Sequence, residues 1–498
     1  MNKYLQKENI YISSILNSFN FIVLILLIST LSLSFNNPYI NQFTIFIDFI
    51  FVLLNVGILS MQSTKSDPFA LIFNYFISVY FNFRIVTLAF FSYSDVLDRH
   101  IYNPTDSNFS ISFILVASLL INLGFKFVKH TPVRLNKKNL SAKEFDLIFY
   151  VICFIFLITC HISQLVSFIS SISSIVKISP RIISISCSYL NKGYLFFVLI
   201  LYLLSFKERI TKKHFYITFF LLTNFIFNSL LEGSKGIFIF IFEIVFLLSL
   251  ITEHFSIKRK IFRYLKYFFL IFLTVTFLSF SISLQQRTYK PQAMSNMQFY
   301  VKNIDSTLKY SPEEISSIAK SFFSRGGYYD FASELISSPS YLYSNLFTFS
   351  NYYKSIVDNV LTPGFDLYDV PKISNLLVYR YKFNIFDKIS KRYLNEQGNY
   401  NSDQITIFAE FELLFGYLAF PLFFCFALSI KWLYFKIQNR KNNFSFLAKR
   451  FSILLFFTYM VNSFGFDWSL AQILPLIFWL FLFSFFINRK LANSGNVK

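Results

Sequence analysis

The sequence is poor in charged residues, which make up 14% of its 498 positions, whereas apolar residues make up 55%. Apolar runs of about 18 residues or more recur along the chain, and a soluble domain does not need runs of that length. Segments of about ten residues with alternating hydrophobicity, which are typical of membrane β-barrels, do not occur. The sequence therefore predicts an all-α polytopic integral membrane protein.

Cysteine and histidine are also scarce, with four and five residues respectively. Cys153, Cys160 and Cys425 lie in apolar runs and Cys187 stands alone in a polar loop, so no disulfide framework or zinc site is predicted. No histidine lies in the long polar segment described below, and no Asp-x-Asp pair is present to hold a divalent ion. We expect no metal and no other cofactor.

Acidic residues are few, with 26 Asp and Glu against 46 Lys and Arg, which gives a formal net charge of +20. Such an excess is compatible with nucleic-acid binding. In a membrane protein it is better explained by basic residues that retain loops on the cytoplasmic side. We therefore expect no nucleic-acid partner. The first apolar run is not followed by a small-residue cleavage site, so it is predicted to be a retained anchor.

Twelve apolar runs predict about 12 transmembrane helices, without an internal repeat that would indicate two matched halves. They lie near residues 17–35, 39–60, 68–92, 108–128, 146–167, 190–206, 215–231, 236–252, 267–284, 406–430, 451–464 and 470–487. If the N-terminus is cytoplasmic, the inner segments hold 27 Lys and Arg residues and the short outer loops hold four. The positive-inside rule therefore predicts that both termini are cytoplasmic.

One long polar segment, residues 285–405, divides the chain into nine predicted helices in residues 1–284 and three in residues 406–498. Its first 120 residues carry 13 Lys and Arg and 11 Asp and Glu, an even mixture that can fold over a membrane surface. The number of preceding spans places this segment outside the cell membrane. We expect a folded extracytoplasmic cap.

The cap has helix signals of its own. A capping box at Ser311-Pro312-Glu313-Glu314 predicts an amphipathic helix that ends near Arg325-Gly326-Gly327. A second helix is predicted from about Asn351 to Leu361, before Thr362-Pro363-Gly364.

Two carboxylates bracket the start of the tenth predicted span. Asp403 and Glu410 are seven residues apart, which puts them on one helix face if the helix begins by residue 403. Glu410 and Glu412 then lie inside an apolar run, where a carboxylate is energetically costly and usually marks a functional site. Glu412 is predicted either to share the cavity of Glu410 or to form a hydrogen bond between helices.

Arg84 lies inside the third predicted span, and the same argument applies to it. One interpretation is that Arg84 lines a substrate cavity. The other is that it neutralises Asp48 in the second span or a glutamate in the tenth.

Three further cations stand at the predicted outer surface. Lys235 lies in a turn from Gly233 to Gly236 that opens a helix, so it either helps backbone N–H groups to bind an anion or simply snorkels. Arg287 follows the ninth span, where it either anchors the helix at the headgroups or clamps a phosphate bidentately. Arg325 precedes Asp330 across two glycines, as a site or as a surface ion pair.

In this order, the features resemble those of the O-antigen polymerases (Wzy type), a family of oligosaccharide repeat-unit polymerases. The shared features are a dozen spans with a large outer loop before the last few, the glycine turn at Lys235 (Arg is common there), Arg287 after the ninth span, the Arg325-to-Asp330 segment, and Glu410 followed by Phe415-Gly416 and a long apolar span. The resemblance covers roughly residues 230–430, and residues 1–200 match in hydropathy alone.

The resemblance implies a GT-C-like glycosyltransferase architecture in a bacterial inner membrane. It implies metal-independent transfer of a growing glycan from undecaprenyl diphosphate to a sugar hydroxyl on a new lipid-linked repeat unit, at the outer face. The roles that follow are stabilisation of the leaving diphosphate by Arg287, Arg325 and Lys235, general base catalysis by Glu410 or, as second choice, Asp330, and substrate binding by Arg84, Asp403, Tyr328 and Tyr329.

The partners implied are the lipid-linked donor and acceptor glycans, membrane lipids, a chain-length regulator and a flippase. The related O-antigen ligases share the architecture, but they usually carry a functional histidine in the large outer loop, which this sequence lacks. A lipid-linked oligosaccharide flippase is the rival from another class. It does not need an outer cap of this size.

Overall fold

The computed structural model describes residues 2–32, 40–61, 67–90, 104–128, 140–160, 192–231, 328–337, 349–358, 368, 386–387, 392–393, 406–437, 443–461 and 466–495. Nearly all of these residues are helical. The exceptions are short connecting residues and one antiparallel pair of strands, β1 (Phe386–Asp387) and β2 (Arg392–Tyr393), in which Phe386 pairs with Tyr393.

The helices before the cap are α1 (Asn2–Ser32), α2 (Gln42–Ser60), α3 (Pro68–Phe76), a π-helix (Ile77–Asn82), α4 (Phe83–Phe90), α5 (Pro104–Phe127), α6 (Ala142–Cys160), α7 (Lys192–Ser205), a 3-10 helix (Lys207–Arg209) and α8 (Lys212–Leu231). The cap contains α9 (Tyr328–Ser337) and α10 (Phe349–Ile356). The helices after it are α11 (Ile407–Phe415), a 3-10 helix (Gly416–Leu418), α12 (Ala419–Lys436), α13 (Asn443–Val461) and α14 (Phe466–Gly495).

Seven helical stretches of the described residues are long and apolar enough to cross a membrane: Ser13–Leu31, Gln42–Ser60, Pro68–Ala89, Asn108–Phe127, Ile407–Lys436, Asn443–Val461 and Ile473–Leu491. Large apolar side chains such as Phe21 and Phe46 are exposed on them, as lipid contact requires. The protein is therefore a multi-pass helical membrane protein, which confirms the predicted class.

The predicted number of twelve spans goes beyond these seven. Helices α6, α7 and α8 coincide with the fifth to seventh predicted spans, at residues 146–167, 190–206 and 215–231. The predicted spans at 236–252 and 267–284 lie outside the described residues. The full count stays a prediction.

Within the cap, α9 begins at Tyr328, directly after the glycine pair at which the sequence predicted a helix to end. The predicted helix before that pair lies outside the described residues. The second predicted helix is present as α10, which begins at Phe349 and continues as a π-helical turn to Asp358.

The chain divides into two compact units, each built from segments that are separated in the sequence. The predicted boundaries at residues 284 and 405 stay a prediction. Unit 1 consists of Met1–Pro132, Ala319–Lys436 and Ile453–Ile473. It therefore joins the first four spans to the described part of the cap and to α11 and α12. Unit 2 consists of Val133–Ile318, Ile437–Ser452 and Leu474–Lys498.

A close helix contact organises unit 1. A Cβ atom on Gly124 of α5 would lie 2.7 Å from the carbonyl oxygen of Phe424 and 2.9 Å from the Cβ of Ala427 in α12. Only glycine permits this approach of two backbones, as at other small-residue interfaces between membrane helices. Above this contact the rings of Phe113 and Phe420 pack with centroids 4.8 Å apart.

Unit 2 packs around an aromatic core between α6 and α7. The rings of Phe145 and Tyr202 stack with centroids 5.2 Å apart, and the Tyr202 hydroxyl donates a hydrogen bond to the Phe145 carbonyl at 3.0 Å. His214 of α8 completes the core, because its ring lies edge-on to Phe149 and its Nε2 is 3.0 Å from Asp146. The buried tyrosine thus has its polar atom satisfied, as the interior of a membrane protein requires.

Candidate functional site

Unit 1 has a buried polar cluster near each end of its longest apolar stretch, Ile407–Lys436. One cluster contains Glu410 and the other contains Lys431. The two residues do not lie on one continuous helix, because the helix breaks at Gly416 (φ 55°) between α11 and α12. The rings of Phe411 in α11 and Phe423 in α12 stack with centroids 4.9 Å apart, so α11 folds back along α12 and Glu410 lies deeper in unit 1 than its sequence position suggests.

The Glu410 cluster joins three segments that are distant in sequence. The hydroxyl of Tyr352 in α10 donates a hydrogen bond to Glu410 Oε1 at 2.5 Å. The backbone N–H of Phe466, the first residue of α14, donates to both carboxylate oxygens at 3.0 and 2.9 Å. The Glu410 side chain has no exposed surface. The Glu410 carboxylate thus connects α10 of the cap to the first turns of α11 and α14.

The local sequence explains how Glu410 reaches this position. Thr406 is the N-cap of α11, and the Glu410 N–H donates to the Thr406 carbonyl at 3.0 Å, which closes the first helical turn. A carboxylate in the first turn is stabilised by the positive end of the helix dipole. Hydrogen bonds that a carboxylate accepts from neutral donors, such as the Tyr352 hydroxyl and the Phe466 N–H, are stronger than those between two neutral groups.

Helix α9 attaches the cap to the spans independently. The Ser110 hydroxyl of α5 donates to the Ser333 carbonyl of α9 at 2.9 Å. The ring of Tyr329 in α9 lies edge-on to Phe81 of the π-helix, with centroids 6.3 Å apart. Phe81 in turn contacts Phe408 of α11 at 5.4 Å. These aromatic contacts connect α9 to α11, the helix that carries Glu410.

The C-terminal end of α10 is held by a second buried carboxylate. Both oxygens of Asp358 accept a hydrogen bond from the Tyr368 backbone N–H, at 3.0 and 3.1 Å. The Lys354 Nζ lies 6.0 Å from the centroid of the Tyr368 ring, whose side chain is exposed. Tyr353 directly follows the buried Tyr352 and its ring is exposed, so α10 also presents an aromatic side chain that does not face Glu410.

The structure tests the geometry expected for the predicted site residues only in part. Glu410 is buried within the cluster, and Glu412 is partly exposed. A shared helix face for Asp403 and Glu410 requires a helix that begins by residue 403. Helix α11 instead begins at Ile407. Asp403 itself lies outside the described residues, as do Arg287, Arg325 and Lys235.

Of the carboxylate partners predicted for Arg84, Asp48 forms no hydrogen bond with it, and pairing with a glutamate of the tenth span stays a prediction. Arg84 is buried in the first turn of α4, after the π-helix. Both carboxylate oxygens of Asp48 are buried and receive no hydrogen bond from the described residues. Asp48 lies near the start of α2, and burial in a helix interface does not by itself bring a long cation and a short carboxylate together.

Two cap tyrosines and an aspartate that were predicted to contact substrate belong to α9. Tyr329 is fully buried against Phe81, and its proposed role in substrate binding stays a prediction. Tyr328 and Asp330 flank it in the same helix. Their side chains lie outside the described part of the structure.

Sequence reasoning missed Tyr352, the Phe466 N–H and Asp358. Tyr352 lies in the predicted second cap helix, but nothing in the sequence separates it from Tyr353 beside it. A backbone N–H at the start of a helix is a donor that no side-chain pattern reveals. These contacts form between segments that are far apart in sequence.

The Lys431 cluster is a buried ion pair between spans. Lys431 Nζ lies 2.5 Å from Asp67 Oδ2 and also donates to the Phe125 carbonyl. Asp67 is the N-cap of α3, where its Oδ1 accepts hydrogen bonds from the Phe69 and Ala70 N–H groups at 3.0 and 3.4 Å. Both charged side chains are buried. A signal for this pair exists in the sequence, because Asp67 precedes Pro68 as an N-cap does and Lys431 ends a long apolar run.

No group of three or more His, Cys, Asp or Glu residues among those that the structure describes has a geometry that could hold a metal ion. Comparison of the chain with protein-family models, with curated proteins and with solved structures finds no match.

Proposed function

We propose that the protein polymerises undecaprenyl-diphosphate-linked oligosaccharide repeat units at the outer face of a bacterial inner membrane. In this reaction the acceptor sugar hydroxyl attacks the anomeric carbon of the growing glycan, and the bond from that carbon to the diphosphate oxygen breaks. The hydroxyl proton passes to a base, and the lipid diphosphate leaves with the bonding electron pair. The product can be O-antigen, capsule or exopolysaccharide.

The attachment of the cap through Glu410 is the observation that carries this proposal. A transferase that joins two lipid-linked sugars needs a protein surface that is fixed at the membrane boundary, because positioning supplies much of the rate. Helices α9 and α10 meet this requirement, since both are fastened to the end of the same bundle. The exposed Tyr353 and Tyr368 offer rings on which sugars can stack.

We assign the side of unit 1 that carries the cap to the outside and the side that carries Lys431 to the cytoplasm. The segments that adjoin the Lys431 end include residues 128–139, with Lys129, Arg134, Lys137 and Lys138. The positive-inside rule retains such segments in the cytoplasm. Both chain termini are then cytoplasmic, and the cap faces the compartment in which lipid-linked repeat units are polymerised.

The catalytic cations proposed are Arg287 and Arg325, with Lys235 assisting. Charge on the leaving diphosphate increases as the anomeric bond breaks, so these side chains stabilise the transition state more than the ground state. Guanidinium groups suit this task because they bind phosphate oxygens bidentately. Removal of one such contact typically costs about 3–4 kcal/mol, or roughly 100- to 1,000-fold in rate.

The geometry of Glu410 supports a positioning role. A general base must reach the proton that it removes, whereas both oxygens of Glu410 accept hydrogen bonds within a closed environment. In this proposal Glu410 positions Tyr352 and thereby α10. Asp330, which α9 carries at the same end, is then the candidate general base, and Arg84 and Asp403 are candidates for substrate contacts.

Reconstitution tests the proposal. The purified protein in proteoliposomes is given a synthetic lipid-linked repeat unit, and the glycans are separated on a gel. We expect a ladder of longer chains, also in the presence of EDTA. Arg325→Ala should remove the ladder, whereas Lys320→Ala, a matched cation in the same cap segment, should retain it. Movement of the substrate across the bilayer without elongation would instead show a flippase, and transfer to a lipid A core acceptor alone would show a ligase.

A further inference from the structure

Basic side chains gather at one end of unit 2. Helices α6 and α8 begin side by side there, since His214 Nε2 lies 3.0 Å from Asp146 Oδ1 and the rings of His214 and Phe149 are 4.7 Å apart. Residues 141–146 and 207–214 form this end, and they hold five Lys and Arg against three Asp and Glu. The exposed cations among them are Lys143, Arg209, Lys212 and Lys213.

Two of the three acidic side chains at this end are engaged in contacts of their own. Glu144 caps the start of α6, where its Oε2 accepts from the Ser141 hydroxyl at 2.7 Å and from the Ser141 N–H at 3.2 Å. Asp146 is bonded to His214, whose Nδ1 accepts from the Thr211 N–H at 3.1 Å. A ring nitrogen that accepts carries no proton, so His214 is neutral and its Nε2 donates to Asp146. Five positive and three negative charges then leave an excess of two positive charges.

Lys212 and Lys213 lie beside an exposed apolar surface. Lys213 Nζ is 5.4 Å from the centroid of the Tyr150 ring, so this lysine of α8 reaches across to α6. Tyr216 follows Lys213 by three residues and Lys212 by four, which puts it on their face of α8, and its side chain is 66% exposed. Exposed apolar side chains continue along both helices: Leu147, Val151, Phe154, Phe219 and Phe220. Because α6 and α8 coincide with the fifth and seventh predicted spans, we expect this surface to contact lipid.

We propose that this end of unit 2 binds the headgroup of an anionic phospholipid in the cytoplasmic leaflet, through Lys212, Lys213, Tyr150 and Tyr216. The ammonium groups attract the lipid phosphate, and the tyrosine hydroxyls donate hydrogen bonds to its oxygens. The acyl chains then lie on the apolar side chains that follow along α6 and α8. A lipid uses both parts of this surface, whereas free phosphate would contact only its polar part. The positive-inside rule places this basic end in the cytoplasm. The site is independent of glycan transfer.

Quenching of a single tryptophan by brominated lipids tests the site. In the full chain the three native tryptophans are replaced by phenylalanine, and Tyr216→Trp is the reporter, in vesicles of phosphatidylcholine and phosphatidylglycerol. A basic residue at a membrane surface contributes about fivefold to the binding of an anionic lipid, so two lysines predict a roughly 25-fold preference for brominated phosphatidylglycerol over brominated phosphatidylcholine. Lys212→Gln and Lys213→Gln should each lower this preference about fivefold, and the double variant should abolish it.

Lys192→Gln is the matched control, because it removes the same charge from the other end of α7, about 20 Å along that helix from Ser205, and it should leave the preference unchanged. Equal quenching by the two lipids, or a preference that persists in the double lysine variant, would overturn the site. Loss of the preference in inorganic phosphate at constant ionic strength would also overturn it, since that result shows a site for the free anion. If Tyr216→Trp does not fold, Phe220→Trp serves as the reporter, because Phe220 lies one turn farther along the same face and is 64% exposed.

Discussion

Two buried carboxylates of unit 1, Asp67 and Glu410, contact different parts of the protein. Asp67 is matched by the opposite charge of Lys431, and both groups belong to spans. Glu410 accepts from Tyr352 of the cap and from the Phe466 N–H. An ion pair between spans serves to hold the bundle. A carboxylate bonded to a cap tyrosine instead links the bundle to a surface segment, which is where a membrane transferase needs rigidity.

Removal of the ion pair should give the largest change in stability. Lys431→Met leaves the Asp67 carboxylate buried without its counter-charge, and breaking such a pair typically costs about 3–5 kcal/mol. SDS titration of the protein in mixed micelles measures the change in free energy of unfolding. The double variant Asp67→Asn with Lys431→Met should recover most of this loss, because no buried charge remains.

Lys436→Met is the matched control at the same end. Its ammonium group is exposed and lies 4.2 Å from the centroid of the Trp432 ring, so its loss should cost no more than about 1 kcal/mol. Equal effects of Lys431→Met and Lys436→Met would mean that the buried ion pair contributes no more to stability than the exposed Lys436.

Removal of the Tyr352 hydroxyl should affect the cap before it affects the bundle. Tyr352→Phe removes the donor to Glu410, and hydrogen bonds to charged groups contribute about 1.5–3 kcal/mol. We expect faster proteolysis within residues 349–358 and a loss of polymerase activity of roughly tenfold or more. Limited proteolysis and the glycan ladder are the two readouts.

Tyr353→Phe is the control for Tyr352→Phe, since the Tyr353 side chain is 58% exposed and is rotated by about 100° around the helix from Tyr352. It should leave proteolysis unchanged. If Tyr352→Phe and Tyr353→Phe behave alike in both assays, the Glu410 cluster does not hold the cap.

A change at the close contact between α5 and α12 should have a smaller effect on stability. Gly124→Ala places a methyl group 2.7 Å from the Phe424 carbonyl oxygen, and overpacking of this kind costs about 1–3 kcal/mol. The matched variant Gly57→Ala adds the same methyl group where nothing lies within 4 Å. SDS titration should show destabilisation for Gly124→Ala only. Equal free energies of unfolding for the two variants would mean that α5 and α12 can admit the added methyl group without cost.

Hydropathy predicted the fold class and the seven membrane-spanning stretches among the described residues, because lipid exposure imposes long apolar helices whatever their neighbours are. The start of α3 follows from Asp67 and Pro68 in the same way. The candidate site was harder to predict. Intramembrane charge singled out Glu410, but its partners Tyr352 and the Phe466 N–H are fixed by tertiary contacts. Hydropathy also could not choose between the partners proposed for Arg84, since it places residues along a helix axis but not around it.

Labelling from one side of the membrane is the most direct test of the central claim that the cap faces outwards. In a variant whose four native cysteines are serine, Tyr353→Cys and Lys436→Cys are labelled separately with a membrane-impermeant maleimide. The account predicts that intact cells label Tyr353→Cys, whereas Lys436→Cys reacts only after the membrane is permeabilised. Labelling of Lys436→Cys in intact cells, with Tyr353→Cys protected, would contradict it.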